Sequence, residues 1–232
     1  MLPALERRHD VLAPTMAGHA GGPPIALPIT DFALADAVER AMDAAGFETA
    51  HLVGNSLGGY VALQLAQRGR ARTVVALAPA GGWPVGDRSY ERTLGLQAAM
   101  QELVKAAAPH AEAIVSSPEG RRRATRFLVE DDGRIPTELL VHLLRGAAAC
   151  DAALPLIEHA RRAGWSLEPE LITCPVRVVW GTADRLLEWP AAAVRYRDEW
   201  LPHADWVELD GVGHLPQLDV PLETAELILG WT

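Results

Sequence analysis

The sequence predicts an α/β protein: a mostly parallel sheet flanked by helices and interrupted by a helical insertion. Three observations carry that expectation. Short apolar runs alternate with amphipathic stretches over residues 10–77. The alternation stops over residues 84–165, which are rich in Ala, Arg and Leu, and it resumes over residues 176–231. Alternation of this kind marks parallel strands joined by helical crossovers. With 232 residues, 49% of them hydrophobic and 22% charged, the chain can bury one large domain with an insertion.

Each element follows from local chemistry. Residues 10–14 (Asp-Val-Leu-Ala-Pro) read as a short buried strand stopped by Pro14. A Gly/Pro-rich loop runs from Gly18 to Pro28. Residues 31–45 read as a helix, with Thr30 as N-cap, Leu34, Val38, Ala41 and Ala45 at helical spacing, and Gly46 just past the end. Thr49–Val53 reads as a strand, Tyr60–Gln67 as an apolar helix closed by Gly69, and Thr73–Leu77 as the next strand. The prolines at 109, 118, 136 and 155, with Gly133, divide 84–165 into several short helices. Beyond it, Val176–Trp180 and Trp206–Leu209 read as strands, and Pro190–Trp200 and Pro221–Trp231 as helices. The domain division expected is a core of 1–83 and 166–232 with a helical cap of 84–165.

Charge and composition narrow the function. A net charge of -9 and a pI near 5.3 disfavour nucleic acid or an anionic membrane as the main partner. Cys150 and Cys174 are too few for a disulfide framework and read as reduced thiols in a cytoplasmic protein. No apolar run approaches the ~20 residues of a membrane span. No metal-ligand spacing or nucleotide-binding glycine pattern is present, so no cofactor or metal is expected. The partner expected is a small-molecule substrate, with an oligomer possible.

The chemistry concentrates in Gly54-Asn55-Ser56-Leu57-Gly58, a G-x-S-x-G run between an apolar strand and an apolar helix. That context is the nucleophile elbow, a turn so sharp that it exposes the serine and demands small neighbours. A serine hydroxyl needs a base, and the base needs an orienting group. His214 lies in the glycine-rich loop after the strand Trp206–Leu209, at the same carboxyl edge of the sheet as Ser56. Asp184 lies at that edge too, after the strand Val176–Trp180. Asp210 suits a turn-capping role, with a second orienting role left open. His51 reads as a core histidine, and the other six as surface or packing residues. Trp83, after the strand Thr73–Leu77, reads either as a pocket wall or as packing at the cap junction.

These residues resemble the α/β-hydrolase fold family, in its branch of serine esterases, carbon–carbon-bond hydrolases and cofactor-free peroxidases. The resemblance rests on Val11-Leu12-Ala13-Pro14 with Gly18-His19, on Gly54-Asn55-Ser56-Leu57-Gly58-Gly59, on Trp180-Gly181-Thr182-Ala183-Asp184-Arg185 and on Gly213-His214-Leu215-Pro216-Gln217. It implies Ser56 as nucleophile, His214 as general base and then acid, Asp184 as its orienter and the Leu57 backbone N–H as an oxyanion donor. It implies hydrolysis of a carboxylic ester or related acyl bond in a small apolar substrate. The alternatives are a carbon–carbon-bond hydrolase of a diketone-like substrate and a non-catalytic binding homologue. A serine at the elbow argues against the aspartate-nucleophile epoxide hydrolases and dehalogenases.

The family places three strands before the one matched by residues 10–14, with an oxyanion loop after the third. That loop is therefore expected to be missing, and its loss to lower turnover and stability of the chain as it stands. The strands at 10–14 and 49–53 would then lack a common neighbour. Truncation of a longer protein, direct pairing of the two strands, or completion by another chain would each account for this.

Overall fold

The computed structural model describes residues 1–232. Its centre is a parallel sheet of four strands in the order β1-β2-β3-β4, comprising Ala50–Asn55, Ala71–Leu77, Val176–Gly181 and Asp205–Leu209. The register pairs Val53 with Val75, Ala76 with Val178 and Val179 with Val207. The helices, in chain order, are α1 (Leu2–Leu5), α2 (Ala33–Ala44), α3 (Leu57–Gln67), α4 (Arg88–Ala107), α5 (Ala111–Val115), α6 (Pro118–Thr125), α7 (Thr137–Ala148), α8 (Ala153–Ala163), α9 (Pro216–Asp219) and α10 (Pro221–Leu229). No single helix is long and apolar enough to cross a membrane.

Period-two alternation divides the strand side chains between the two faces of the sheet. Val74, Ala76, Val178 and Trp180 pack with Leu63 and Ala66 of α3 and with the segment Leu186–Leu201. Val75, Leu77, Val179 and Leu209 pack with Ile228 of α10, and Met1 and Leu5 cover part of that face. Both faces being covered, the inner strands are largely apolar, from Val74 to Leu77 in β2 and from Val178 to Trp180 in β3. The carboxyl ends of β1 to β4 point to one edge, where the loops at 56, 78–83, 182–187 and 210–215 collect.

Helices α4 to α8 fill the crossover from β2 to β3, and no strand lies within it. They bury a small core of their own, with Ala111, Val115, Ile135, Leu140 and Val141, against which Leu215 and Leu218 pack. Arg121 of α6 is tied into this segment, its Nη2 donating to the carbonyl of Ile135 at 2.6 Å.

Three local expectations fail. Residues 10–14 form no strand. They run without a ladder, and Leu12 is 39% exposed. β1 is therefore an edge of the sheet, with Val53 also 39% exposed, and direct pairing of 10–14 with it does not occur. Thr30 does not cap α2. The N-cap is Phe32, without a side-chain bond, and Asp31 pairs with His159 at 2.9 Å instead. Pro190–Trp200 is not one helix but a 3-10 turn at Ala191–Ala193 followed by a wide turn at Tyr196–Trp200. Tertiary bonds compete there: Arg195 N donates to Gly82 O at 2.8 Å, and the Tyr196 hydroxyl to Ala80 O at 2.6 Å.

One histidine at the sheet edge makes the stability of the fold depend on pH. His51 of β1 bonds through Nδ1 to Thr73 Oγ1 at 2.9 Å, and its ring lies 5.7 Å from that of His9. Burial, then the charges of His9 and Arg72, holds its pKa below the ordinary 6.5. In the unfolded chain His51 takes up its proton near 6.5, while the folded chain resists. Stability is thus intact above that value and declines as pH falls below it. The melting temperature of the wild type should fall more between pH 7.5 and 5.5 than that of His51→Gln. The difference should be small, because the ring is largely screened by solvent. Parallel declines would show that His51 contributes nothing.

Candidate active site

The elbow joins β1 to α3. Ser56 sits at φ 54° and ψ -121°, a region that side-chain-bearing residues rarely adopt. Its N–H donates to Leu77 O at 2.8 Å, and its carbonyl accepts from Tyr60 N and Ala80 N at 3.1 and 3.0 Å. These bonds hold the strained turn from both flanks. A Cβ on Gly54 would lie 2.1 Å from Gly58 O, so that position admits only glycine. Gly58 is less constrained, since a Cβ there would meet only Met16 Cε at 3.4 Å.

Asp184 and His214 come together beneath the same edge. His214 Nδ1 lies 2.7 Å from Asp184 Oδ2, and both side chains are almost wholly buried. The other carboxylate oxygen, Oδ1, accepts from Leu186 N at 2.9 Å and Leu187 N at 2.8 Å. An ionised Asp184 keeps the proton on Nδ1 and leaves Nε2 as a hydrogen-bond acceptor. A Cβ on Gly181 would meet Val212 O at 2.2 Å, so the end of β3 and the His214 loop are in backbone contact. Asp210 bonds to Thr182 Oγ1 at 3.2 Å and caps that turn, away from the imidazole. No hydrogen bond joins Ser56 to His214 here. Such bonds are often long in free enzymes and tighten when substrate arrives.

Two side chains that the sequence reading passed over set the position of this loop. Asn55 Nδ2 donates to Leu77 O and to His214 O, both at 3.0 Å, and Gln217 Nε2 reaches Asn55 Oδ1 at 3.3 Å. Asp219, 5% exposed, accepts from Gly213 N at 2.8 Å and from Glu130 N and Asp131 N at 2.9 and 3.1 Å. One buried carboxylate therefore ties the residue before His214 to the helical segment. Arg185 adds a second tie, from the residue after Asp184 to Glu130 at 2.8 Å. In sequence Asp219 is one acidic residue in the largely apolar segment Leu215 to Leu222, a pattern too common to single out. Asp219→Asn replaces one acceptor oxygen by a donor facing an N–H. It should lower kcat on an ester about tenfold or more while leaving KM nearly unchanged. An unchanged kcat would show that the His214 loop holds itself.

A cavity of about 280 Å³ opens at Ser56. The core contributes Leu57, Tyr60 and Gln64 to its walls, and the helical segment contributes Leu94, Leu156 and Ile157. Trp83 lines it and also packs on Tyr90, with ring centroids 5.3 Å apart. His19 and His159, read from sequence as surface or packing residues, line it as well. Leu57 is the first residue of α3, so its N–H has no intrahelical partner and the helix dipole favours negative charge beside it. His19 Nδ1 donates to Ala17 O at 3.2 Å. Burial pushes the Cys150 thiol, another wall residue, above its ordinary pKa, which leaves it a poor nucleophile.

A parallel sheet with a strained serine elbow at its carboxyl edge and a buried Asp-His pair beside it defines an α/β hydrolase. The sequence profile of the alpha/beta hydrolase family matches residues 1–227, and the chain belongs to that family. It is 35% identical over 196 residues to epoxide hydrolase EphH of Mycobacterium tuberculosis, a match covering 84% of this chain and 91% of the relative. Solved structures show the same fold at lower identity. The 2-hydroxy-6-oxo-6-phenylhexa-2,4-dienoate hydrolase of a Rhodococcus species superposes with a TM-score of 0.71 at 23% identity, covering 99% of this chain and 82% of the other. The meta-cleavage product hydrolase of Pseudomonas fluorescens does so with a TM-score of 0.70 at 20% identity, covering 99% and 81%.

Proposed function

We propose that the chain is a serine hydrolase cleaving a carboxylic ester or related acyl bond in a small, uncharged substrate. The observation that carries this reading is the buried Asp184–His214 hydrogen bond at the edge where the elbow presents Ser56. His214 Nε2 takes the Ser56 hydroxyl proton as Oγ attacks the substrate carbonyl carbon. The resulting oxyanion faces the Leu57 N–H. Collapse expels the alcohol, which leaves with the proton from His214, and Ser56 holds the acyl group as an ester. Water then repeats the attack with the same base, releasing the acid and restoring the serine. Leu57 N–H is the oxyanion donor assigned, and removing one such donor costs about 100–1,000-fold in comparable sites.

Residues 84–165 act in this reading as the cap, because the cavity draws walls from both that segment and the core. No Lys or Arg lines the cavity, while Asp31 does, which disfavours anionic substrates such as diketo acids. The protein works in this reading as a cytoplasmic enzyme, which its two free cysteines support.

The 35% identical relative is named as an epoxide hydrolase, and the serine at the elbow supports acyl chemistry instead. A carboxylate that opens an epoxide forms an ester, which water can cleave. A serine that did so would form an ether, which this site cannot hydrolyse. The test is labelling with a fluorophosphonate and turnover of p-nitrophenyl butyrate and of styrene oxide. Labelling at Ser56 with ester turnover supports the proposal. Epoxide turnover that survives Ser56→Ala would replace it, and neither labelling nor turnover would indicate a binding protein.

A further inference from the structure

The cavity beside Ser56 has a polar end at which several donors are already engaged. Helix α4 presents Leu94, Gln97 and Gln101 to it at spacings of three and four, which places them on one helix face. Gln101 is 8% exposed, and its Nε2 donates to Ala147 O at 3.0 Å and to Cys150 O at 3.4 Å. Both amide hydrogens are thereby directed into the turn between α7 and α8, and the amide has no reason to flip. Its Oε1 accepts no hydrogen bond from the protein, and it is not among the buried polar atoms sealed from solvent. Two further donors of the lining are also engaged. Gln64 Nε2 donates to Asp31 O at 2.9 Å, and the Tyr60 hydroxyl donates to Ser166 O at 2.8 Å.

We infer that the cavity selects a neutral substrate bearing a hydrogen-bond donor, a hydroxyl or amide N–H, remote from the scissile bond, and that Gln101 Oε1 receives it. The inference names the substrate class of the hydrolase proposed above and rests on that reading for its kinetic test. An oriented amide distinguishes a donor from an acceptor of the same size. A hydroxyl there satisfies Oε1, whereas an ether oxygen sets lone pairs against lone pairs and leaves both groups desolvated and unpaired. A carboxylate would set only lone pairs against Oε1.

The experiment compares kcat/KM for p-nitrophenyl 6-hydroxyhexanoate and 6-methoxyhexanoate. The wild type should prefer the hydroxy ester about tenfold, the size of one net hydrogen bond. Gln101→Met, which keeps the volume but not the acceptor, should bring the ratio to about one. A merely structural role for Gln101 would lower both rates and leave the ratio alone. Because Gln101→Met also breaks the bonds to Ala147 and Cys150, a second measurement uses Ser56→Ala protein with Gln101 intact. Its melting temperature should rise more with 1,6-hexanediol than with 1,6-dimethoxyhexane at equal concentration. Equal ester rates in the wild type, or equal shifts by the two ligands, would overturn the inference. Preferential diol binding in a protein that turns over neither ester and takes no fluorophosphonate would instead remove the hydrolase reading and leave this one standing.

Discussion

Ser56→Ala is expected to lower kcat on a p-nitrophenyl ester by about 100,000-fold or more, with the fold and KM nearly intact. The magnitude follows from the way nucleophile and base act as one unit. Removing either partner of such a pair costs about as much as removing both. His214→Ala should therefore fall to a similar rate, and the double variant should be no slower than either single one. Asp184→Asn should retain somewhat more activity, because the amide still occupies the space but no longer fixes the proton on Nδ1. The double variant is the discriminating measurement. If its loss is the product of the single losses, Ser56 and His214 work independently and the proposed acyl-enzyme route is wrong.

Gly54→Ala should be among the most damaging small substitutions in the protein. The added methyl would lie 2.1 Å from Gly58 O and 2.2 Å from its carbonyl carbon, against backbone atoms that no rotamer change can move. Relief requires β1 and the first turn of α3 to separate, which weakens the packing of α3 on the sheet. A cost of about 4 kcal/mol is reasonable for a clash of this kind. For a chain of this size that is a fall of roughly 10 °C in melting temperature. Gly58→Ala is the control, since its nearest contact is the flexible end of Met16 at 3.4 Å. It should change the melting temperature little. Similar melting of the two variants would show that the elbow relaxes more freely than its geometry indicates.

The parts of this molecule that were legible in sequence are those fixed by local chemistry. The four sheet strands, the elbow and the loops carrying Asp184 and His214 follow from apolar periodicity and from glycines beside them. What escaped depends on distant partners. Residues 10–14 have strand-like composition, but a strand exists only by pairing, and nothing pairs with them. Thr30 has the chemistry of a cap, yet the turn at 31–32 gives α2 a different start. Pro190–Trp200 has helical composition, but Gly82 O and Ala80 O draw its donors away. Asp219 and Asn55 are anonymous in sequence because their importance lies in which backbone groups converge on them from 77, 130, 131, 213 and 214.

The backbone angles of Ser56 set its chemical role against the stability of the whole chain. A φ of 54° with a ψ of -121° is close to the mirror image of ordinary extended backbone. Glycine enters that region without penalty, while any residue with a Cβ is strained there by about 1–3 kcal/mol. The residue best suited to the conformation is thus the one that cannot perform the reaction. Ser56→Gly should be inert and yet melt above both the wild type and Ser56→Ala, by a few degrees, despite the greater freedom glycine gives the unfolded chain. The elbow would then be a place where selection for turnover has held thermal tolerance below what the same fold could reach, so screens for heat resistance alone should repeatedly recover inactive protein at this position.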